Sequence, residues 1–187
     1  IFDAFLSSPQ TKKVAELIKQ RLGRDLKPFD IWYNGFVATS GISEDKLNQI
    51  TQKKYPTAQA MDNDLPNILK KLGWKSERAE FIASKVDVDP ARGSGHAMGA
   101  SMRSENARLR TRIGKDGMDY KGYNIAVHEF GHNVEQTISM QDVDYYMING
   151  VPNTSFTEAL AFIFQKRDLE LLGIDASNEN KKHLEAL

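Results

Sequence analysis

The chain has 187 residues, 40% of them hydrophobic and 27% charged, a size and balance that suit one compact domain with a real core. Its 25 basic and 25 acidic side chains cancel, so no net field draws it to nucleic acid or to an anionic membrane, and a small or peptide ligand fits better. With no cysteine, it has neither disulfides nor a thiolate metal site, and any metal has to be held by His, Asp or Glu.

No apolar run approaches the roughly 20 residues that cross a bilayer, and the segment from Ile1 to Leu6 lacks a signal-peptide layout. The start without methionine, and the end at Leu187 inside a helix-like pattern from Glu179 to Glu185, predict a piece of a longer chain. The remainder of that chain is then an expected partner. The compartment stays open between cytoplasm and periplasm.

In chain order, Ser8 and Pro9 read as a helix start, with Val14, Leu17, Ile18 and Leu22 at helical spacing and a stop at Gly23. The stretch from Leu26 to Tyr33 is aromatic-rich and reads as a packed connection. Ser43 caps a helix carrying Leu47 and Ile50. Asp64 and Pro66 start another, with Ile68, Leu69 and Leu72, that Gly73 closes, and Ser76 caps a third through Phe81 and Ile82.

At Val86–Pro90 the character changes, and a glycine-containing turn, Ala91–Gly95, leads into His96-Ala97-Met98. Glycines there permit close backbone approach. Arg108, Arg110 and Arg112 alternate with Leu109, Thr111 and Ile113, the period of a strand with one wet face. From Tyr120 to about Ile138, Tyr123, Val127, Phe130, Val134 and Ile138 recur every three or four residues and mark a long helix. A further helix is expected from Phe156 to Leu172, ended by Gly173, before the C-terminal tail. The whole predicts one domain over residues 1–187, mainly α with a small antiparallel β-sheet.

The long helix carries His128-Glu129-Phe130-Gly131-His132. One helical turn apart, both imidazoles can reach one ion, and Glu129 on the adjoining edge can take a proton from an activated water. Zinc suits such a set, because imidazole and carboxylate bind it tetrahedrally and an open fourth position lets it acidify water. Gly131 lets another backbone or a substrate come near. A third protein ligand is required. His183 lies in a charged tail and reads as a solvated residue, whereas Glu158 is a lone acid among apolar and small residues on a predicted helix start. Glu158 is either that ligand or an N-terminal-turn acid stabilised by the helix dipole.

His128-Glu129-Phe130-Gly131-His132, followed 26 positions beyond His132 by Glu158 in Phe156-Thr157-Glu158-Ala159, resembles the gluzincin metallopeptidases. Within them the chain is most similar to the superfamily of angiotensin-converting enzyme, thimet oligopeptidase and oligoendopeptidase. Gly95-His96-Ala97-Met98 is similar to their substrate-holding edge strand, and Pro28-Phe29-Asp30 resembles an early Pro-Trp-Asp element. The resemblance spans about Leu26 to Leu172 and implies a zincin-like catalytic domain. It implies one Zn2+ per chain on His128, His132 and Glu158, with Glu129 as general base. It also implies that His96 donates to a substrate carbonyl while the Ala97 backbone pairs with a bound oligopeptide as an added strand.

Two positions depart from the pattern. Phe162 stands four after Glu158, where related enzymes often place a polar residue that orients a histidine, and no tyrosine follows Tyr146 to serve as a downstream transition-state donor. The resemblance therefore implies a zinc peptidase. The alternatives are a zinc-bearing, catalytically incomplete peptide-binding fragment that lacks downstream His and Tyr donors, and a structural helical domain without metal.

Overall fold

In the computed structural model, residues 2–33, 42–148 and 153–174 are described. The predicted tail helix and His183 lie outside them. The elements are α1 (Phe2–Leu6), α2 (Pro9–Leu22), α3 (Glu44–Lys54), α4 (Ala58–Lys71), α5 (Ser76–Ala83), β1 (Val86–Ala91), β2 (His96–Met98), β3 (Ala107–Arg112), α6 (Tyr120–Asp142), α7 (Thr154–Gln165) and α8 (Asp168–Leu171). Short 3-10 turns lie at Pro28–Trp32 and Tyr146–Ile148. The described residues are mainly helical, and none of their helices is long and apolar enough to cross a membrane.

Local chemistry sets most boundaries as expected. Ser8 accepts a hydrogen bond from the Thr11 N–H at the start of α2, and Gly23, at φ 65°, ends it in the left-handed conformation that glycine tolerates. Ser43 caps α3 and Asp119 caps α6 in the same way. Helix α4 starts earlier than Asp64, because Thr57 caps it and Pro66 falls inside. An interior proline costs about 3 kcal/mol. Burying Met61, Leu65, Ile68 and Leu69 almost completely offsets that cost, since each such side chain contributes about 1.5–3 kcal/mol.

The sheet has the order β1-β3-β2 and is mixed, which corrects the antiparallel expectation. Strand β2 runs antiparallel to β3, with Ala97 opposite Leu109, while β1 runs parallel to it, with Val88 also opposite Leu109. The central place falls to β3 because its alternation is the cleanest: Ala107, Leu109 and Thr111 are buried and the three arginines exposed. The stretch read as a loss of helical character is thus an edge strand, where Pro90 is tolerated. Asp62 of α4 accepts the N–H of Val88 and so blunts that edge. On the wet face Arg108 sits 3.4 Å from Asp87 and 3.3 Å from Asp89.

The core lies between this sheet, α4, α5 and α6, and is built around Tyr55, Leu65, Ile82, Leu109, Tyr123, Val127 and Phe130. Tyr55 stacks on Tyr123 at 5.5 Å, and the Tyr55 hydroxyl donates to Asp64 at 2.7 Å. Burial alone would raise the Asp64 carboxyl, but hydrogen bonds from Lys54, Tyr55 and Asn67 hold it below the ordinary value. The segment before α3 differs. No described residue from 3 to 33 is buried, and Phe29, Ile31 and Trp32, expected to pack, are 65%, 80% and 82% exposed. What organises that turn is polar. Arg24 donates two hydrogen bonds of 2.8 Å to Asp30, and together with the Lys27 N–H they hold the Asp30 carboxyl down to about 2.

The predicted helix from Phe156 to Leu172 is broken after Gln165 into α7 and α8. The break turns the carboxylate of Asp168 inward, where it is buried and accepts from Tyr120, Asn124 and its neighbour Leu169.

Candidate metal and catalytic site

Helix α6 meets two neighbours along two rows of side chains. One row, Gly122, Ile125, Glu129 and Asn133, faces the strands. Thr111 donates to the Gly122 carbonyl, and the Asn133 amide reaches the carbonyls of Met98 and Arg108, each at 3.4 Å. The other row, Asn124, His128, Gly131 and His132, faces α7. Gly122, Ile125, Glu129 and Asn133 are three or four residues apart, and Asn124, His128 and His132 four apart with Gly131 on their flank, the spacings that keep side chains on one helical face.

On the α7 side the helices are nearly in main-chain contact. A Cβ at Gly131 would lie 2.7 Å from the Ala161 Cα. Glycine is needed here for space, and the close approach brings Glu158, one turn before Ala161, over the histidines. Glu158 Oε2 lies 3.4 Å from His128 Nε2, and Oε1 lies 3.5 Å from His132 Nε2. These ligand atoms all fall within 4.8 Å of one another, so the group could hold a metal ion. The two imidazoles are largely buried and meet edge to face at 4.9 Å, while the Glu158 side chain is 44% exposed and leaves the group open on one side.

On the strand side a Cβ at Gly95 would lie 2.5 Å from Ile125 Cγ2 and 3.2 Å from the Arg110 carbonyl. Its absence lets β2 come against α6. The Ala97 N–H then donates to Glu129 Oε2 at 2.8 Å, which fixes the carboxylate beside the His/His/Glu group. Ala97 thus stands next to the site, with its N–H engaged by Glu129. His96 is exposed at the start of β2 and is not part of the metal-ligand group.

Phe162, the apolar residue four after Glu158, packs edge-on against His128 at 5.0 Å. The polar partner of that histidine comes one turn later, where Gln165 Oε1 lies 3.0 Å from His128 Nδ1. Gln165 in turn donates to Asn124 Oδ1 at 2.6 Å, and Asn124 donates to Asp168 Oδ2 at 2.8 Å. Neither Gln165, Asn124 nor Asp168 stands out in the sequence. The available signal is spacing, since Gln165 is seven residues, two helical turns, beyond Glu158 on α7, and Asn124 is one turn before His128 on α6.

Tyr120 adds a donor to Asp168 at 2.6 Å, and burial together with Asp168 pushes its phenol up, so it stays protonated. Glu135, three residues beyond His132, is almost buried, and burial raises its carboxyl above the ordinary range.

No family model matches the chain, and no curated protein or solved structure matches it.

Proposed function

We propose that the chain is a zincin-like peptidase domain that hydrolyses peptide bonds of oligopeptides, with one zinc ion held by His128, His132 and Glu158. The observation that carries this reading is the spacing of the three donors. Ligands bound to zinc at about 2.0–2.1 Å in a tetrahedron are separated by roughly 3.4 Å. The imidazole-to-carboxylate separations of 3.4 and 3.5 Å, each to a different Glu158 oxygen, are close to that edge and long for direct hydrogen bonds, and one ligand atom from each residue lies within 4.8 Å of the others. Two imidazoles and one carboxylate are also a donor set that leaves a fourth position open.

When bound, zinc supplies Lewis-acid activation of water and of the scissile carbonyl. The chain's own residues do the rest. Glu129, held by the Ala97 N–H at 2.8 Å, takes the proton of the attacking water and delivers it to the leaving amine. That single hydrogen bond leaves the second carboxylate oxygen to receive the proton. His96 and Ala97, at the strand beside the base, are the proposed contacts for the peptide, with His96 donating to a substrate carbonyl.

Cleavage of a fluorogenic oligopeptide library by the zinc-loaded wild type, set against Glu129→Gln, tests the assignment. A loss of at least about 100-fold in turnover with zinc content unchanged is expected. Equal activity would refute Glu129 as the base. Zinc binding without cleavage in the wild type would leave a peptide-binding domain instead.

A further inference from the structure

His128 can present a lone pair to a cation only through the ring nitrogen that carries no proton, so the position of that proton matters. Its Nε2 faces Glu158 and its Nδ1 faces Gln165. A proton on Nε2, beside the Glu158 carboxylate 3.4 Å away, is the competing arrangement, and it would block metal binding there. Something on the Nδ1 side has to oppose it.

The hydrogen-bond directions supply the opposition. A carboxylate can only accept, so Asn124 turns its NH2 toward Asp168 and leaves its carbonyl oxygen toward Gln165. Gln165 then has to offer its NH2 to Asn124, at 2.6 Å, which points its own carbonyl oxygen at His128 Nδ1, at 3.0 Å. An amide oxygen has no proton to give, so Nδ1 has to be the donor. Asp168 itself is buried and anchored by Tyr120 O–H and the Leu169 N–H, both at 2.6 Å, and cannot turn to reverse the order.

We propose that Asp168, Asn124 and Gln165 form a one-directional relay that keeps a proton on His128 Nδ1 and so dedicates Nε2 to the cation. Gln165 is a positioning residue in this scheme, and Asp168 sets its sense. The inference deepens the zinc reading and rests on it only for the identity of the ion. In this chain two amides and a buried carboxylate on α8 do the orienting, while Phe162 fills the space four residues after Glu158.

The test reads ring-nitrogen protonation directly, by long-range 1H–15N correlation spectra of the full chain in metal-free form at about pH 8.5, above the ordinary imidazole range. A proton on His128 Nδ1 is expected in the wild type, lost or shared with Nε2 in Gln165→Met, retained in Gln165→Glu, which keeps an acceptor, and weakened in Asp168→Asn. Zinc affinity is expected to fall by about 10- to 100-fold in Gln165→Met and to recover in Gln165→Glu. An unprotonated Nδ1 in the wild type would overturn the relay, whether or not any variant folds. So would an unchanged Nδ1 proton in Gln165→Met. A locked Nδ1 proton in a chain that binds no zinc would instead sink the peptidase reading and leave the relay standing.

Discussion

The two sides of helix α6 build the site by different means. On the strand side, β2 brings main chain against the helix, and a backbone N–H holds Glu129. On the α7 side, two helices close through a glycine, and side chains alone place the donors: Glu158 over the histidines and Gln165 behind His128. Main-chain support is set once the sheet forms, whereas side-chain support depends on how closely α7 seats. The proposed function divides along the same line, with metal holding assigned to the α7 seam and proton transfer to the strand side.

Substitutions at the two contact glycines separate these roles. Gly131→Ala is expected to have the largest effect. Alanine favours a helix interior by about 1 kcal/mol, but its Cβ would meet the Ala161 main chain at 2.7 Å, and the clash leaves a net loss of about 2 kcal/mol. Displacing α7 also displaces Glu158, so zinc binding should fall along with the melting temperature. Gly95→Ala meets the Ile125 Cγ2 branch methyl at 2.5 Å and the Arg110 carbonyl at 3.2 Å, and the three-residue strand β2, not a helix, is what gives way. Its expected cost is about 1 kcal/mol, with zinc content retained and peptidase turnover reduced by roughly 100-fold as β2 moves away from Glu129. Loss of zinc in Gly95→Ala, or full zinc occupancy in Gly131→Ala, would erase the distinction between the two sides.

Glu135 should give the smallest effect. Burial raises its carboxyl, so the folded chain binds a proton there more readily than the unfolded chain. The resulting penalty is absent at low pH and grows as pH rises from the ordinary carboxyl range through the raised value. Glu135→Gln is therefore expected to raise the melting temperature by about 1–3 °C at pH 7, a gain that fades toward about pH 4. Thermal melts at the two pH values check this, and a pH-independent change would contradict it.

The strand side of the site was largely legible in the sequence. Alternation over Ala107–Arg112 located β3, and the spacing within the long helix put Glu129 on an edge of its own beside the histidines. On the α7 side, the grouping of Glu158 with the two histidines was legible, and the residues behind them were not. Gln165 lies 37 residues from His128, and Asp168 lies 44 from Asn124, distances at which only the folded packing decides a partner. The parallel pairing of β1 was hidden for a similar reason, because strand direction depends on the path of the intervening chain. The N-terminal helix shows the limit of periodicity: Val14 and Leu17 recur at helical spacing and the helix forms, yet both stay 49% and 41% exposed. A pattern specifies which face could be buried, and only tertiary contact buries it.

Zinc stoichiometry after exhaustive dialysis, measured by elemental analysis on the wild type, His132→Ala and Glu158→Ala, tests the proposed metal centre most directly. One zinc per chain is expected in the wild type and well below one in each variant, with helical content by circular dichroism preserved. Substoichiometric zinc in the folded wild type, or full retention in both variants, would contradict a centre built from His128, His132 and Glu158.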